Sequence, residues 1–167
     1  MARCPGAGPG AKLARRQIPT CPPRGGKDQR AVHVIQIAVC YVATAIVFLA
    51  ADAVALRTLM RPLFETHVGD WLLPSPRLGA AAGFYLIYVA GLVYLVSWPA
   101  LKAGAPSQAL LNGAVLGLVA YGTYEMTNFA TLRNWSWQQV IVDGTWGTIL
   151  TGVSAWIGVL VARALAS

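Results

Sequence analysis

Four long apolar runs dominate the chain, at about residues 34–57, 79–99, 109–132 and 140–163. Each run has at least the ~20 residues that a helix needs to cross about 30 Å of hydrocarbon. Because backbone polar groups in lipid must be paired within their own segment, such runs are expected to be helical. The later connections are short, which makes sequential helices antiparallel neighbours. The pattern therefore predicts an all-α fold, an integral membrane four-helix bundle.

Residues 61–72, between the first two runs, predict a short amphipathic helix. Pro62 suits the first turn of a helix, and Pro74 and Pro76 follow the segment and would end it. A helix of this kind lies along the membrane surface, so we expect an interfacial helix between spans one and two. Its apolar residues recur at helical spacing: Leu63, Phe64, His67, Val68, Trp71 and Leu72.

Composition agrees with a membrane protein. The mean hydropathy is +0.56, and 11% of the residues are charged, against about 25% in soluble proteins. We expect a multi-pass protein of the cell membrane, with the lipid bilayer as its main partner. A homo-oligomer or a membrane partner would fit a bundle this small.

Residues 1–31 differ in composition from the membrane domain expected at 32–167. They are rich in Gly, Pro and Arg, and we expect a disordered basic tail. The tail is either an orientation signal or a tether to anionic lipid headgroups. It favours a cytoplasmic N-terminus, and an even number of spans returns the C-terminus to the same side. The other basic residues are scattered, so nucleic-acid binding is not expected. Seven of the thirteen Lys and Arg residues lie in this tail: Arg3, Lys12, Arg15, Arg16, Arg24, Lys27 and Arg30.

Residue types that bind metals or perform catalysis are scarce. The chain has three cysteines and two histidines, without a CxxC motif, so we predict no metal site and no cofactor. We find no nucleophile–base pair, histidine box or phosphate loop, so we predict no catalytic residue. An enzyme is the less favoured interpretation.

Three acidic residues lie inside the apolar runs, namely Asp52, Glu125 and Asp143. A charge at mid-bilayer costs about 3 kcal/mol, so intramembrane acids usually have a function. Asp52 is late in span one, Glu125 late in span three and Asp143 early in span four. Because successive spans alternate in direction, all three are predicted to lie towards the same membrane face.

Further polar side chains share that level, which predicts a polar pocket inside the bundle. The opposite half is expected to be nearly free of polar side chains, so a continuous channel is not expected. The predicted pocket residues besides the three acids are Tyr85, Tyr88, Tyr121, Tyr124, Thr127 and Asn128.

Small residues form a stripe on each of the last two spans, and such stripes allow close helix packing. They are Gly113 and Gly117 on span three, and Gly147, Thr151 and Gly158 on span four. Each stripe shares a face with an acid, which turns Glu125 and Asp143 inward. A structural alternative stays open, because acids near an interface can bond Tyr, Asn or Arg simply to fix helix register.

Several segments resemble the uncharacterised membrane protein family DUF2177, a domain of unknown function. The most specific is the run from Gly117 to Leu132, which contains Tyr124-Glu125-Met126-Thr127-Asn128, followed by Val142-Asp143-Gly144-Thr145-Trp146. Arg61-Pro62-Leu63-Phe64 and Phe84-Tyr85-Leu86-Ile87-Tyr88 add to the likeness. The resemblance implies a four-span bacterial protein of the inner membrane and supplies no activity.

Three functional hypotheses remain. The first is binding or translocation of a small solute, cation or proton by the carboxylates. The second is an accessory or structural subunit of a membrane assembly, in which the polar layer fixes the bundle. The third is a lipid-binding or lipid-modifying protein, with Glu125 or Asp143 as a general base.

Overall fold

The computed structural model describes residues 26–73 and 75–165. All regular structure in these ranges is helical, which confirms the all-α prediction. The helices in chain order are α1 (Gly26–Ala55), α2 (Arg61–Val68), α3 (Leu78–Leu92), α4 (Trp98–Ala103), α5 (Pro106–Thr131) and α6 (Trp137–Ala164).

Two pairs of helices are joined by π-helical turns without a break. Leu56–Met60 joins α1 to α2, and Val93–Ser97 joins α3 to α4. Each turn ends two residues before a proline, Pro62 in the first case and Pro99 in the second. Proline lacks an N–H and its ring crowds the carbonyl four residues earlier. A wider turn just ahead of it accommodates both effects.

The first π turn makes the segment after span one a continuation of α1. The amphipathic helix α2 is present, but it continues from α1, so that Val32–Val68 forms one apolar helix of 37 residues. A short 3₁₀ turn, Gly69–Trp71, follows. A separate interfacial helix is therefore not confirmed by the fold.

Several helices begin before the predicted positions. α5 begins at Pro106 and α6 at Trp137, where the apolar runs predict 109 and 140. Pro106 occupies the first turn of α5. Ser136 and Gln139 form a capping box ahead of α6, each side chain bonding the other's backbone N–H.

The start of α1 also lies early, at Gly26, inside the segment expected to be disordered. Lys27, Gln29 and Arg30 are good helix formers, which explains the extension beyond the apolar run. Residues 1–25 of the predicted tail lie outside the described residues.

Helix α6 is the centre of the bundle, and it packs along both α5 and α1. Its approach to α5 depends on facing glycines. A Cβ atom on Gly117 would lie 2.6 Å from the Gly147 carbonyl oxygen, and one on Gly113 would lie 3.0 Å from the Gly152 Cα. On the other side, a Cβ on Gly158 would collide with the Thr44 hydroxyl of α1. The small-residue stripes thus lie at the helix contacts.

Three helical stretches are long and apolar enough to cross a membrane, by length and composition among the described residues. They are Val32–Val68, Leu78–Ala103 and Trp137–Ala164. Helix α5 has 26 residues, as many as the second stretch. Its lower hydropathy follows from polar residues such as Asn112, Glu125 and Asn128.

Candidate functional site

Glu125, on α5, is the most deeply buried acid, with 0% of its surface exposed. The indole Nε1 of Trp135 donates a hydrogen bond to its Oε2 at 2.7 Å. Trp135 lies in the connection between α5 and α6 and is itself buried. Its ring packs edge-on against Phe64 of α2 and Tyr124 of α5. Aromatic rings thus cover the carboxylate from the side of the α5–α6 connection.

The second oxygen of Glu125 has no hydrogen-bond donor. Oε1 is buried and unpaired, and the carboxyl group of Asp143 on α6 lies within hydrogen-bonding reach of Glu125. Two ionised carboxylates are both acceptors only. A bond between them requires a proton, or a cation that both oxygens can bind.

Asp52, on α1, brings a third carboxylate to the same place. Trp146 of α6 donates from Nε1 to Asp52 Oδ1 at 3.3 Å, and Oδ2 has no hydrogen-bond partner. The residue is 4% exposed. Asp52 is close enough to Asp143 and to Tyr85 of α3 to interact electrostatically with both. We call Asp52, Glu125 and Asp143 the carboxylate cluster.

The cluster contains no basic partner. None of its three members forms an ion pair with a Lys or Arg among residues 26–73 and 75–165. The ion pair of α2, between Arg61 and Glu65, is exposed and lies apart from the cluster. In the same ranges, no three His, Cys, Asp or Glu side chains are arranged to hold a metal ion.

Tyrosines from α3 and α5 lie beside the cluster within the bundle. Tyr121 interacts electrostatically with Asp52, Asp143 and the tyrosines of α3, and its ring lies where a Cβ on Gly147 would be. Tyr88 Oη lies 3.1 Å from Thr151 Oγ1. Because the Thr151 hydroxyl donates to the Gly147 carbonyl, Tyr88 is the donor of this pair.

Among the other predicted pocket residues, Tyr124 and Thr127 are exposed and Asn128 is half-buried. Tyr124 is about half exposed and lies within hydrogen-bonding reach of Asn128, while its ring contacts Trp135. Thr127 is exposed and donates to the backbone carbonyl of Thr123. Thr127 therefore does not reach the carboxylates, whereas Asp52, Glu125, Asp143 and the tyrosines 85, 88 and 121 lie together.

Trp135 and Trp146 are the site residues that sequence reasoning missed as hydrogen-bond donors. Both are indoles within or next to the last span, where tryptophan ordinarily marks an interface. A buried indole N–H usually has a partner, and the unpaired acids on neighbouring spans were the signal available for finding it.

The half of the bundle nearer Gly104 is not apolar, and the expectation that it would be nearly free of polar side chains is wrong. Thr44, Ser97 and Ser154 are fully buried there. None of the three hydroxyl oxygens has an oxygen or nitrogen atom as a hydrogen-bond partner. Cys40 lies beside two of them, because its thiol is within hydrogen-bonding reach of Thr44 and Ser97.

A model of the family DUF2177, described as a predicted membrane protein, matches residues 37–160 of the chain. The matched segment runs from Ile37 in α1 almost to the end of α6 and contains every residue of the carboxylate cluster. No curated protein and no solved structure was found to match.

Proposed function

We propose that this chain, which belongs to the DUF2177 family of predicted membrane proteins, binds a proton or small cation at its carboxylate cluster and moves it across the membrane. The observation that carries the proposal is the pairing of Glu125 with Asp143. Glu125 is fully buried and its Oε1 has no donor. Burial of unpaired charge costs several kcal/mol, and a bound proton or cation removes that cost.

We propose in addition that the chain crosses the membrane four times, with α5 as one of the spans. Helix α5 would be about 39 Å long at ~1.5 Å per residue, and it packs along α6, which is apolar enough to span. Glu125, a polar residue of α5, belongs to the cluster, so part of the lower hydropathy of α5 reflects the site. With the basic N-terminus in the cytoplasm, the cluster lies towards the outer face. Reporter fusions after residues 104 and 134 test this topology, and the same location for both would contradict it.

Flux through reconstituted vesicles is the direct test. The purified full chain is placed in vesicles with a trapped pH indicator, and a pH gradient or a Na⁺ or K⁺ gradient is imposed. The parent should dissipate at least one gradient faster than protein-free vesicles. Glu125→Gln and Asp143→Asn should each reduce the rate about tenfold or more, equal to about 1.4 kcal/mol of barrier.

Glu65→Gln is the matched control, because Glu65 is an exposed acid paired with Arg61 at 2.7 Å. It should keep the parental rate. If the parent dissipates none of the three gradients faster than empty vesicles, the transport proposal is wrong. If Glu65→Gln loses as much flux as Glu125→Gln, the effect belongs to the overall charge and not to the cluster.

A structural role for the same acids is the second candidate, and two hydrogen bonds favour it. Trp135 links the α5–α6 connection to Glu125, and Trp146 links α6 to Asp52 of α1. Bonds of a neutral donor to a charged acceptor are worth about 1.5–3 kcal/mol. In this reading, the neutral variants melt below the parent and no gradient is dissipated.

A further inference from the structure

A group of buried hydroxyls lies in the half of the bundle away from the carboxylate cluster. It consists of Thr44 on α1, Ser97 in the π turn after α3, and Ser154 on α6. Each side chain is 0% exposed, and none of the three hydroxyl oxygens has an oxygen or nitrogen atom as a hydrogen-bond partner. We call these three residues the hydroxyl group.

The three hydroxyls come from different helices that converge. The Cys40 thiol lies within hydrogen-bonding reach of both Thr44 and Ser97, which brings α1 to the π turn. The Thr44 hydroxyl occupies the space left by Gly158 of α6. Ser154 precedes Gly158 by one helical turn and therefore lies on the same face.

Most threonines elsewhere in this chain are satisfied by their own helix. Thr123, Thr127 and Thr148 each donate to the carbonyl four residues earlier, which is the usual arrangement in membrane helices. Thr44 does not, although it lies on an equally regular helix. A buried hydroxyl without a partner costs about 1–3 kcal/mol. Three such groups from three helices therefore indicate a ligand that can both donate and accept.

Water is the smallest ligand with that chemistry. A buried water typically makes about three hydrogen bonds to otherwise unsatisfied polar groups, which equals the number of hydroxyls here. Ser97 lies in a π turn, in which the backbone hydrogen bonds close a wider ring than in an α-helix. Phe48, Leu92 and Val159 are fully buried in the same core and make the surroundings apolar.

Polar groups continue from this site to the carboxylate cluster. Thr151 precedes Ser154 by three residues and is a neighbour on the α6 surface. Tyr88 donates to Thr151 across 3.1 Å, and the ring of Tyr121 lies against Gly147, whose carbonyl accepts from Thr151. Tyr121 in turn interacts with Asp52 and Asp143. The hydroxyls thus lie next to a series of polar side chains that extends to the acids.

We infer that the hydroxyl group holds ordered water and passes protons to and from the carboxylate cluster, so that the transported species is a proton and not a metal cation. The inference rests on the proposed function and names its substrate. Each hydroxyl or water accepts a proton on one lone pair and releases its own proton on the other side. Only O–H bonds form and break, and one proton leaves the series for each that enters.

Removal of single hydroxyls tests this relay. Ser97→Ala, Ser154→Ala and Thr44→Val, in vesicles with a pH gradient, should each lower proton flux about tenfold. Thr44→Ser retains the hydroxyl and should retain the flux. Thr123→Val removes an exposed hydroxyl of α5 and should leave flux unchanged. Melting temperatures should change little in the alanine variants, because each removes one hydrogen bond to the water and leaves the water its remaining partners.

The outcomes separate this inference from the proposed function. If Glu125→Gln loses flux while all three hydroxyl variants keep the parental flux, the relay is contradicted and the proposed role of the carboxylate cluster is not. Dissipation of a Na⁺ or K⁺ gradient without proton flux would also overturn it. An infrared carboxyl band that is lost in Glu125→Gln but kept in Ser154→Ala, together with reduced flux in Ser154→Ala, would support it. Absence of all flux in the parent would overturn both proposals.

Discussion

Among the described residues, the indole of Trp135 is the neutral donor that bonds Glu125, so its removal should lower the stability of the protein clearly. Trp135→Phe keeps the aromatic ring between Phe64 and Tyr124 but leaves both oxygens of Glu125 without a donor. We expect a loss of about 1.5–3 kcal/mol in the free energy of unfolding. Thermal unfolding in detergent measures it.

Trp137→Phe is the control for that change, because Trp137 is 56% exposed and packs on Phe129 without contacting an acid. Its melting temperature should fall by only about 1 °C, which is far less than the fall expected for Trp135→Phe. The double variant Trp135→Phe, Glu125→Gln should recover part of the loss, because the uncompensated charge is gone. Equal melting of the two single variants would show that the bond contributes nothing.

Some of the site was predictable residue by residue, and some was not. The inward placement of Glu125 and Asp143 followed from small residues three and four positions away on the same face. The two indole donors depend on side-chain rotamers and on the path of a connection, which periodicity does not specify. The unpaired state of Thr44 was not predictable either, because most threonines in such helices bond their own backbone.

At the scale of helices, the contact of α5 with α6 gives a contrast between two glycines. A Cβ on Gly147 would collide with the ring of Tyr121, whereas a Cβ on Gly122 meets nothing within 4 Å. Gly147→Ala should destabilise by about 1–3 kcal/mol through overpacking. Gly122→Ala should stabilise by about 0.5–1 kcal/mol, because alanine loses less backbone entropy in a helix.

Thermal unfolding of both variants in one detergent tests this pair. Gly147→Ala should also reduce flux, since it displaces the ring of Tyr121, which interacts electrostatically with Asp52, Asp143 and Tyr88. If both variants melt above the parent, the two helices are not as close as the glycine contacts require. If Gly122→Ala melts far below it, that face of α5 has a partner beyond this chain.

The π turns show why helix faces could not all be predicted. Tyr85 and Ser97 are twelve residues apart, and a straight helix of 3.6 residues per turn would rotate Ser97 by about 120° away from Tyr85. The wider turn at Val93–Ser97 changes that rotation, and Ser97 is fully buried. Pro62 predicted the start of a separate helix, but not that α1 would continue into that helix through a π turn.

For the whole molecule, the proposed function implies that the site is kept at a cost in stability. Asp143→Asn tests this, because it replaces one acid of the pair with an amide whose N–H can donate to the unpaired Oε1 of Glu125. The gain of one hydrogen bond and the loss of carboxyl–carboxyl contact should stabilise by about 1 kcal/mol. That corresponds to a melting temperature about 2–4 °C higher for a chain of this size.

The same variant should lose flux, so that stability and transport change in opposite directions. Asp70→Asn is the control, since Asp70 is an exposed residue of the 3₁₀ turn Gly69–Trp71 and should alter neither property. A lower melting temperature for Asp143→Asn would mean that the charge at this position holds the helices together, and the accessory role would then replace transport. A higher melting temperature together with lost flux would support transport. In the parent, the pair of Glu125 and Asp143 is stabilised by the transported proton and is less stable without it. In Asp143→Asn, the amide provides a permanent donor, so the protein is more stable but has lost the proton site.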